Sequence, residues 1–251
     1  MRLENSFIGV RGVGEKTERR LWSAGVTHWD EFDPDLVGPT QADRIETFID
    51  RAWTALDDAD ADFFADALPG GERWRLYENF RDRATFFDIE TTGLSEERDD
   101  VTTVSFHRDG ETTTLIRGED LTRDRLAAQF ADASVLVTFN GARFDVPFLE
   151  TSFDLDVTTP HIDLMYPCRR LGLSGGLKPI EKAVGIDRDR PDLSGRDAVR
   201  LWQQYERSDD RDALETLVQY NREDTVNLRR LMDHVADRLH EDVFVAACDG
   251  T

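Results

Sequence analysis

Two carboxylates stand inside an otherwise apolar segment, Phe86-Phe87-Asp88-Ile89-Glu90, whose pattern is typical of a strand. Residues i and i+2 of a strand point to one face of the sheet, so Asp88 and Glu90 converge. An unpartnered carboxylate in such a place carries a high desolvation cost, and a cation should therefore lie nearby. Converging oxygen ligands favour a divalent ion, and the alternative is a structural salt bridge.

A third carboxylate lies among aromatic and aliphatic residues in the segment FNGARFDVPFL, residues 139–149. Asp145 follows an apolar strand pattern and an Asn-Gly turn, which makes it a candidate for the same site. The ordinary alternative is that Asp145 caps a helix, because Pro147 is typical of a helix start.

Tyr220 and Asp224 are four residues apart in a long helical pattern, so both side chains lie on one helix face. Such a pair is ordinary by itself, and acidic pairs are common in a chain with 52 Asp and Glu among 251 residues. The pair gains weight because it follows the other two acidic segments in order.

Five strand patterns and several helices must position these residues. The strand patterns cover residues 85–90, 101–107, 111–117, 135–139 and 159–164. The first three predict an antiparallel meander, and helices between the later strands allow these to run parallel. A helix at 124–130 and a long helix at 212–239, which carries Tyr220 and Asp224, complete a predicted α/β fold with a mixed five-stranded sheet flanked by helices.

The N-terminal region predicts a small helical domain. Gly12-Val13-Gly14 separates a short apolar start from a helical pattern, which predicts a helix, a tight turn and a second helix. Residues 41–56 predict a further helix. An acidic run at 57–62 precedes the strands, so we place the domain boundary near residue 58, with domains at 1–58 and 59–251.

The motifs DIETTGL, N-x3-F-D followed by PFL, and Y-x3-D resemble, in order, the three motifs of the DEDD superfamily of 3′-to-5′ exonucleases. The tyrosine is typical of the DEDDy branch, and the resemblance covers roughly residues 63–231. It implies a ribonuclease-H-like fold and hydrolysis of phosphodiester bonds at a single-stranded 3′ end of DNA or RNA. Two alternatives are a non-catalytic nucleic-acid-binding or adaptor protein and a structure-specific endonuclease.

The resemblance also implies a site for two Mg²⁺ or Mn²⁺ ions. Asp88, Glu90 and Asp224 would bind one ion, and Asp88 would bridge to a second ion that Asp145 reaches through water. Tyr220, with an ordinary pKa of about 10, would orient the attacking water rather than act as a base. A pocket filled by an arginine would contradict this interpretation.

By the same resemblance, four residues near the acids would contact the substrate. Asn140 would hydrogen-bond to the strand, Thr92 and Leu94 would cradle the terminal nucleotide, and Phe144 would stack on a base. The alternative for Leu94 and Phe144 is an ordinary role in the core. Asp163, at the end of the last strand pattern, is interpreted as a support rather than a ligand.

Gly12 and Gly14, followed by Lys16, resemble a helix-hairpin-helix element, in which glycines let backbone N–H groups approach a phosphate. Such contacts do not read base sequence. The alternatives are a tight turn with no ligand, or a module that binds a protein.

The composition sets limits on binding. The net charge is −21, and lysine occurs only at positions 16, 178 and 182, a bias that resembles salt-adapted proteins. At about 1 M salt the Debye length falls to roughly 3 Å, so the overall negative charge would scarcely repel a bound strand. Cys168 and Cys248 are too far apart in sequence for a metal or redox pair and are expected to be reduced. Without a signal sequence or a membrane-spanning segment, the expected location is the cytoplasm.

Overall fold

The computed structural model describes residues 1–249 and divides into two compact units. One unit contains Met1–Arg81 and the segment that begins at His234, and the other contains Asp82–Asp233. The predicted boundary near residue 58 therefore lies inside the first compact unit, and separate roles for residues 1–58 and 59–251 stay a prediction. Within residues 1–249, no helix combines the length and the apolar character that crossing a bilayer requires.

The helices follow the sequence pattern closely in most places. In chain order the α-helices of the described residues are α1 (Glu15–Ser23), α2 (Pro39–Asp57), α3 (Ala61–Ala67), α4 (Tyr77–Phe80), α5 (Arg123–Ala131), α6 (Asp145–Phe153), α7 (Met165–Arg170), α8 (Leu177–Val184), α9 (Gly195–Ser208), α10 (Arg211–Leu239) and α11 (Ala246–Asp249). Short 3₁₀ segments lie at Leu3–Asn5, Trp29–Glu31, Pro34–Leu36, Gly70–Leu76 and Arg81–Arg83, and α10 continues into a π-helical turn, His240–Val245. The predictions of α2, α5 and α10 are confirmed.

The N-terminal hairpin differs from its prediction. The second helix exists as α1, but the first helix is wrong, because the chain between Leu3–Asn5 and Gly12 forms turns. A side chain from further along holds these turns: Glu18 Oε1 accepts the backbone N–H groups of Phe7 at 2.7 Å and Ile8 at 2.9 Å. Gly12, at φ 92°, then adopts the left-handed conformation that favours glycine.

Aromatic side chains build the core of the first unit. The Trp29 ring lies 6.0 Å from Phe48, 5.3 Å from Trp53 and 6.4 Å from Phe64, measured between ring centroids. Phe48 also stacks on Phe63 at 5.8 Å. These contacts join residues on both sides of position 58, which explains why α2 and α3 belong to one compact unit.

The second unit is built on a five-stranded sheet with the order β3-β2-β1-β4-β5. Its strands are β1 (Ala84–Thr91), β2 (Val101–Arg108), β3 (Glu111–Ile116), β4 (Val135–Thr138) and β5 (His161–Asp163). The pairs of β1 with β2 and of β2 with β3 are antiparallel, whereas β1 with β4 and β4 with β5 are parallel. The predicted mixed five-stranded sheet is confirmed in strand number and direction.

The pleat of β1 separates an apolar face from a polar one. Phe87 and Ile89 belong to a buried apolar cluster with residues of β2, α5 and α6. Asp88 and Glu90 alternate with them and therefore face the other side, toward α10. The register of β1 against β2 shifts between Glu90 and Thr91, so a bulge follows the second carboxylate directly.

Candidate metal centre

Three of the predicted carboxylates meet at one point. Carboxylate oxygens of Asp88, Glu90 and Asp224 all lie within 4.8 Å of one another. Asp88 and Glu90 come from β1 and are partly exposed, whereas Asp224 comes from the middle of α10 and is only 6% exposed. The pleat of the strand and the face of the helix thus bring together side chains that are more than 130 positions apart in the sequence.

Asp145 lies beside this group but outside its 4.8 Å limit. Its Oδ1 accepts the backbone N–H of Ile89, the residue between the two strand carboxylates, at 3.2 Å. The alternative interpretation as a helix cap is wrong, because Phe144 is the N-cap of α6 and Asp145 is the first helical residue. The buried Asp145 carboxylate is therefore tied to β1.

Burial of so many carboxylates disfavours their charged forms. Burial first, and then the charges of Asp224 and Asp145, raise the pKa values of Asp88 and Glu90 well above the ordinary range. Burial raises the pKa of Asp145 to about 7. It raises the pKa of Asp224 to about 6, although Arg188 acts in the opposite direction. A cation that entered the group would reverse these shifts.

The pocket contains one arginine, which is shared among several carboxylates. Arg188 pairs with Asp224 and also with Glu181, where Nη2 and Oε1 are 2.8 Å apart. Among the described residues, Asp88, Glu90 and Asp145 have no ion pair with a basic side chain. Arg188 therefore forms an ion pair with one carboxylate of the group, Asp224, whereas Glu90 feels the positive charges of Lys178 and Arg188 only at longer range.

Asn221, which none of the sequence motifs marks, fixes Asp88. This completely buried amide donates from Nδ2 to Asp88 Oδ2 at 2.8 Å and to the Asp88 carbonyl oxygen at 3.2 Å. Its own Oδ1 accepts a hydrogen bond from Thr103 Oγ1 at 3.0 Å. Asn221 lies three residues before Asp224 on α10, and this i,i+3 spacing on the face of a candidate ligand was the available signal.

Tyr220 lies at the edge of the same group. It is 7% exposed and packs in an apolar cluster with residues of α9 and α10. Lys178 Nζ lies 4.7 Å from the centre of its ring. Burial first, and then the charges of Asp224 and Glu90, raise its pKa, so the phenol keeps its proton at neutral pH. In the metal-free protein this neutral state suits a hydrogen-bonding role.

The predicted substrate contacts differ in their surroundings. Leu94 is 85% exposed, so the alternative of a core role is wrong for it. Phe144 instead packs on Phe148, with ring centroids 4.8 Å apart, beside the apolar core. Thr92 Oγ1 accepts the N–H of Asp100 in the loop that follows β1.

Asp163 holds the turn that contains Asn140. Its carboxylate accepts the backbone N–H groups of Asn140 at 2.7 Å, Ala142 at 3.2 Å and Met165 at 3.0 Å. Asn140 itself has a left-handed backbone, with φ at 64°. Asp163 thus supports the loop between β4 and α6 and has no role as a member of the carboxylate group.

The three N-terminal candidates lie in the other compact unit. Gly14 is the N-cap of α1, and a glycine has no side chain that could cap the first turn of that helix. Lys16 is exposed in the same turn. A separate pocket of this unit contains Arg11, Arg44 and Arg51, cations to which the sequence analysis gave no role.

The donor set of the carboxylate group fits a hard dication. All candidate ligand atoms are carboxylate oxygens, which Mg²⁺ and Mn²⁺ prefer over nitrogen or sulfur. Glu90 makes no side-chain hydrogen bond to any described residue, and Asp88 accepts only one. Both strand carboxylates therefore keep oxygen lone pairs that could bind a metal ion.

Comparisons with known proteins agree with this fold. A family model described as the RNase_H superfamily matches residues 85–236. NrnC of Brucella melitensis bound to pGG is similar with a TM-score of 0.50 and 20% identity, over 68% of this chain and 80% of that chain. The structure described as the apo form of the nuclease has a TM-score of 0.49 and 25% identity, over the same shares of 68% and 80%.

A more distant likeness is to the family B DNA polymerase of Pyrobaculum calidifontis. It has a TM-score of 0.46 and 17% identity, over 62% of this chain and 24% of that chain. Among curated protein sequences, none is significantly similar to this chain.

Proposed function

Because the chain belongs to the RNase H superfamily, we propose that it is a metal-dependent 3′-to-5′ exonuclease that hydrolyses phosphodiester bonds of DNA or RNA. The observation that carries the proposal is the meeting of Asp88, Glu90 and Asp224 within 4.8 Å, beside Asp145, where of these four carboxylates only Asp224 has an ion pair with a basic side chain of the described residues. Such a group is costly to keep charged and is suited to dications.

Each carboxylate has a distinct part in this proposal. Asp88, Glu90 and Asp224 hold one Mg²⁺ or Mn²⁺ ion, and Asp88 with Asp145 serves a second. When bound, the two ions would supply positive charge to the attacking and leaving oxygens of an in-line displacement by water. Asn221 fixes the Asp88 carboxylate, and Tyr220 orients the water through its neutral hydroxyl.

The substrate is a single-stranded 3′ end in this proposal. Leu94, an exposed apolar side chain in the loop after β1, packs against the terminal nucleotide, with Thr92 beside it. Asn140 contacts the strand from the turn that Asp163 supports. Phe144 would stack on a base only with the part of its ring that the contact with Phe148 leaves accessible.

The N-terminal turn provides a second contact to nucleic acid. Gly14 leaves the first turn of α1 without a side-chain cap, and backbone N–H groups at a helix start attract phosphate. Gly12 allows the turn, and Lys16 adds an exposed positive charge. Because this contact reaches only a phosphate, it would not depend on the base sequence of the nucleic acid.

End-labelled oligonucleotides test the proposal directly. DNA and RNA labelled at either end are incubated with Mn²⁺ in molar KCl, with EDTA and the Asp88→Ala variant as controls. We expect a ladder that shortens from the 3′ end and disappears in both controls. Internal cuts would indicate an endonuclease, and equal activity of Asp88→Ala would reject the site.

One observation favours a rival function. Because Arg188 already pairs with Asp224, a protein that binds nucleic acid without turnover is the second candidate. That candidate predicts Mn²⁺-independent binding of oligonucleotides and no cleavage of any labelled substrate. Cleavage that depends on Mn²⁺ would reject it.

A further inference from the structure

Arg188 is a buried cation with two kinds of partner. Its side chain, in the loop after α8, is 5% exposed. On one side it binds Glu181 through two nitrogens, and Glu181 is itself 1% exposed. On the other side Nη2 contacts Asp224, and Nη1 lies 3.9 Å from Glu223.

This arrangement leaves Asp224 only partly neutralised. A bidentate pair with Glu181 already offsets the charge of one guanidinium. The hydrogen bond to Glu181 and the charge of Asp224 raise the pKa of Arg188 against the effect of burial, so the guanidinium stays protonated. The contact with Asp224 therefore adds a fixed positive charge beside the carboxylate group, while Glu181 limits how strongly that charge acts on Asp224.

We propose that Arg188 is a positioning residue that orients Asp224 toward Asp88 and Glu90 and, through its charge, weakens the binding of a dication there. Glu181 pairs with Arg188 from the other side and so limits how much the arginine weakens the binding of the dication. The inference rests on the proposed function, because it requires that the carboxylate group binds a metal ion. The contact of Arg188 with Asp224 would order the carboxylates of the centre before the metal ion binds.

Two variants should shift metal affinity in opposite directions. Arg188→Gln removes the positive charge, so we expect Mn²⁺ to bind about tenfold more tightly, which corresponds to about 1.4 kcal/mol. Glu181→Gln leaves the guanidinium with Asp224 as its main partner, so we expect Mn²⁺ to bind several-fold more weakly. A merely structural role would shift both variants in the same direction, since each breaks the same buried pair.

Electron paramagnetic resonance of free Mn²⁺ gives the affinity without any turnover. Arg190→Gln is the matched control, because Arg190 lies two residues away, is exposed and pairs with Asp192 at 2.8 Å. We expect this control to bind Mn²⁺ like the wild type. Arg188→Lys, which keeps the charge but cannot reach both carboxylates in the same way, should bind within about threefold of the wild type and turn over more slowly.

The outcomes separate the two proposals. Wild-type protein that binds no Mn²⁺ would reject the proposed function. Wild-type binding with equal or weaker affinity in folded Arg188→Gln would overturn the role of Arg188 alone. Should Arg188→Gln fail to fold, tighter or unchanged Mn²⁺ binding by Glu181→Gln would overturn that role as well.

Discussion

Each compact unit buries a group of carboxylates, but only in the first unit does a buried arginine pair with every carboxylate of the group described. In the first unit, Arg75 is fully buried and donates to Glu18 at 2.8 and 3.0 Å and to Glu72 at 2.8 Å. Glu18 Oε1 also accepts the N–H groups of Phe7 and Ile8. Both carboxylate oxygens of Glu18 therefore accept hydrogen bonds from the protein.

In the second unit, Arg188 pairs with only one of the four carboxylates, Asp224, and is also bound to Glu181. Asp88 has one amide partner, Glu90 has none among the described residues, and the pKa values of both are well above the ordinary range. Burial of charge therefore does not by itself mark a functional site. A group in which every carboxylate has an ion pair and hydrogen bonds within the protein stabilises the fold. A group whose carboxylates lack such partners can bind a ligand.

The largest expected effect is on stability, and it should separate the two groups. Glu18→Gln leaves Arg75 without its main partner, so we expect a loss of about 3–5 kcal/mol in the free energy of unfolding. Asp88→Asn removes a charge that repels its neighbours, so the metal-free protein at pH 8 should be as stable as the wild type or more stable. Urea unfolding measures both, with exposed Glu46→Gln as the control. A large loss in the free energy of unfolding of Asp88→Asn would contradict the proposed difference between the two groups of carboxylates.

The next effect concerns the amide that holds Asp88. Asn221→Ala frees the Asp88 carboxylate, and we expect Mn²⁺ affinity to fall roughly 10- to 100-fold, the range for residues that orient metal ligands. Isothermal titration calorimetry in molar KCl gives the value. Asn227→Ala is the control, because Asn227 is also buried on α10 but bonds to Arg230 instead of a carboxylate. Equal losses in both variants would show that Asn221 acts only on the fold.

A smaller effect is the pH dependence of the metal-free protein. Asp145, with its pKa raised to about 7, and Asp224, raised to about 6, bind protons more tightly in the folded state than in the unfolded state. Their contribution to stability is complete below about pH 4 and is lost as the pH rises through about 6 to 7. We expect the Tm in EDTA to be several degrees lower at pH 8 than at pH 5.

The Asp145→Asn variant isolates this contribution. It should flatten the pH dependence, whereas exposed Asp132→Asn should leave it unchanged. A pH profile of Tm that is the same in Asp145→Asn and the wild type would contradict the assignment. Saturating Mg²⁺ should restore the Tm of the wild type at pH 8, because a bound dication offsets the same charges.

The smallest effect tests the surface of the first unit. Lys16→Gln should weaken the binding of a fluorescent oligonucleotide about threefold at moderate salt, since one phosphate contact is lost. Fluorescence anisotropy in EDTA avoids cleavage. Lys182→Gln, which removes an exposed lysine of the second unit, is the matched control. Equal affinity of Lys16→Gln and the control would count against a binding role for the glycine turn.

The strands and the convergence of Asp88 and Glu90 could be predicted because their signals are local, whereas Asp224 was added to them by the resemblance to a family with three ordered motifs. The alternation in residues 85–90 separates Phe87 and Ile89 from Asp88 and Glu90, and that pattern alone predicts which side chains converge. The turns before Gly12 could not be predicted, because Glu18, a residue of α1, accepts the N–H groups of Phe7 and Ile8. No local pattern in the apolar start marks that contact.

The cation of the site was missed for a similar reason. Arg188 and Arg190 stand in one polar segment, DRDRP, and nothing in that segment tells which arginine is buried. Only the fold brings Glu181 and Asp224 to opposite sides of Arg188. The surroundings of Leu94 also depend on the fold. A leucine next to a strand ordinarily indicates burial, yet the loop after the bulge leaves Leu94 exposed.

The two-residue period of β1 also constrains how this chain can change during evolution. One added residue between Asp88 and Glu90 would turn one of the two carboxylates toward Phe87 and the apolar layer of α5 and α6. Substitutions can accumulate around the pair, but a single-codon insertion or deletion between its members would destroy both the centre and the core in one event. The register shift after Glu90 marks the first position of β1 at which the strand already accommodates a change of length.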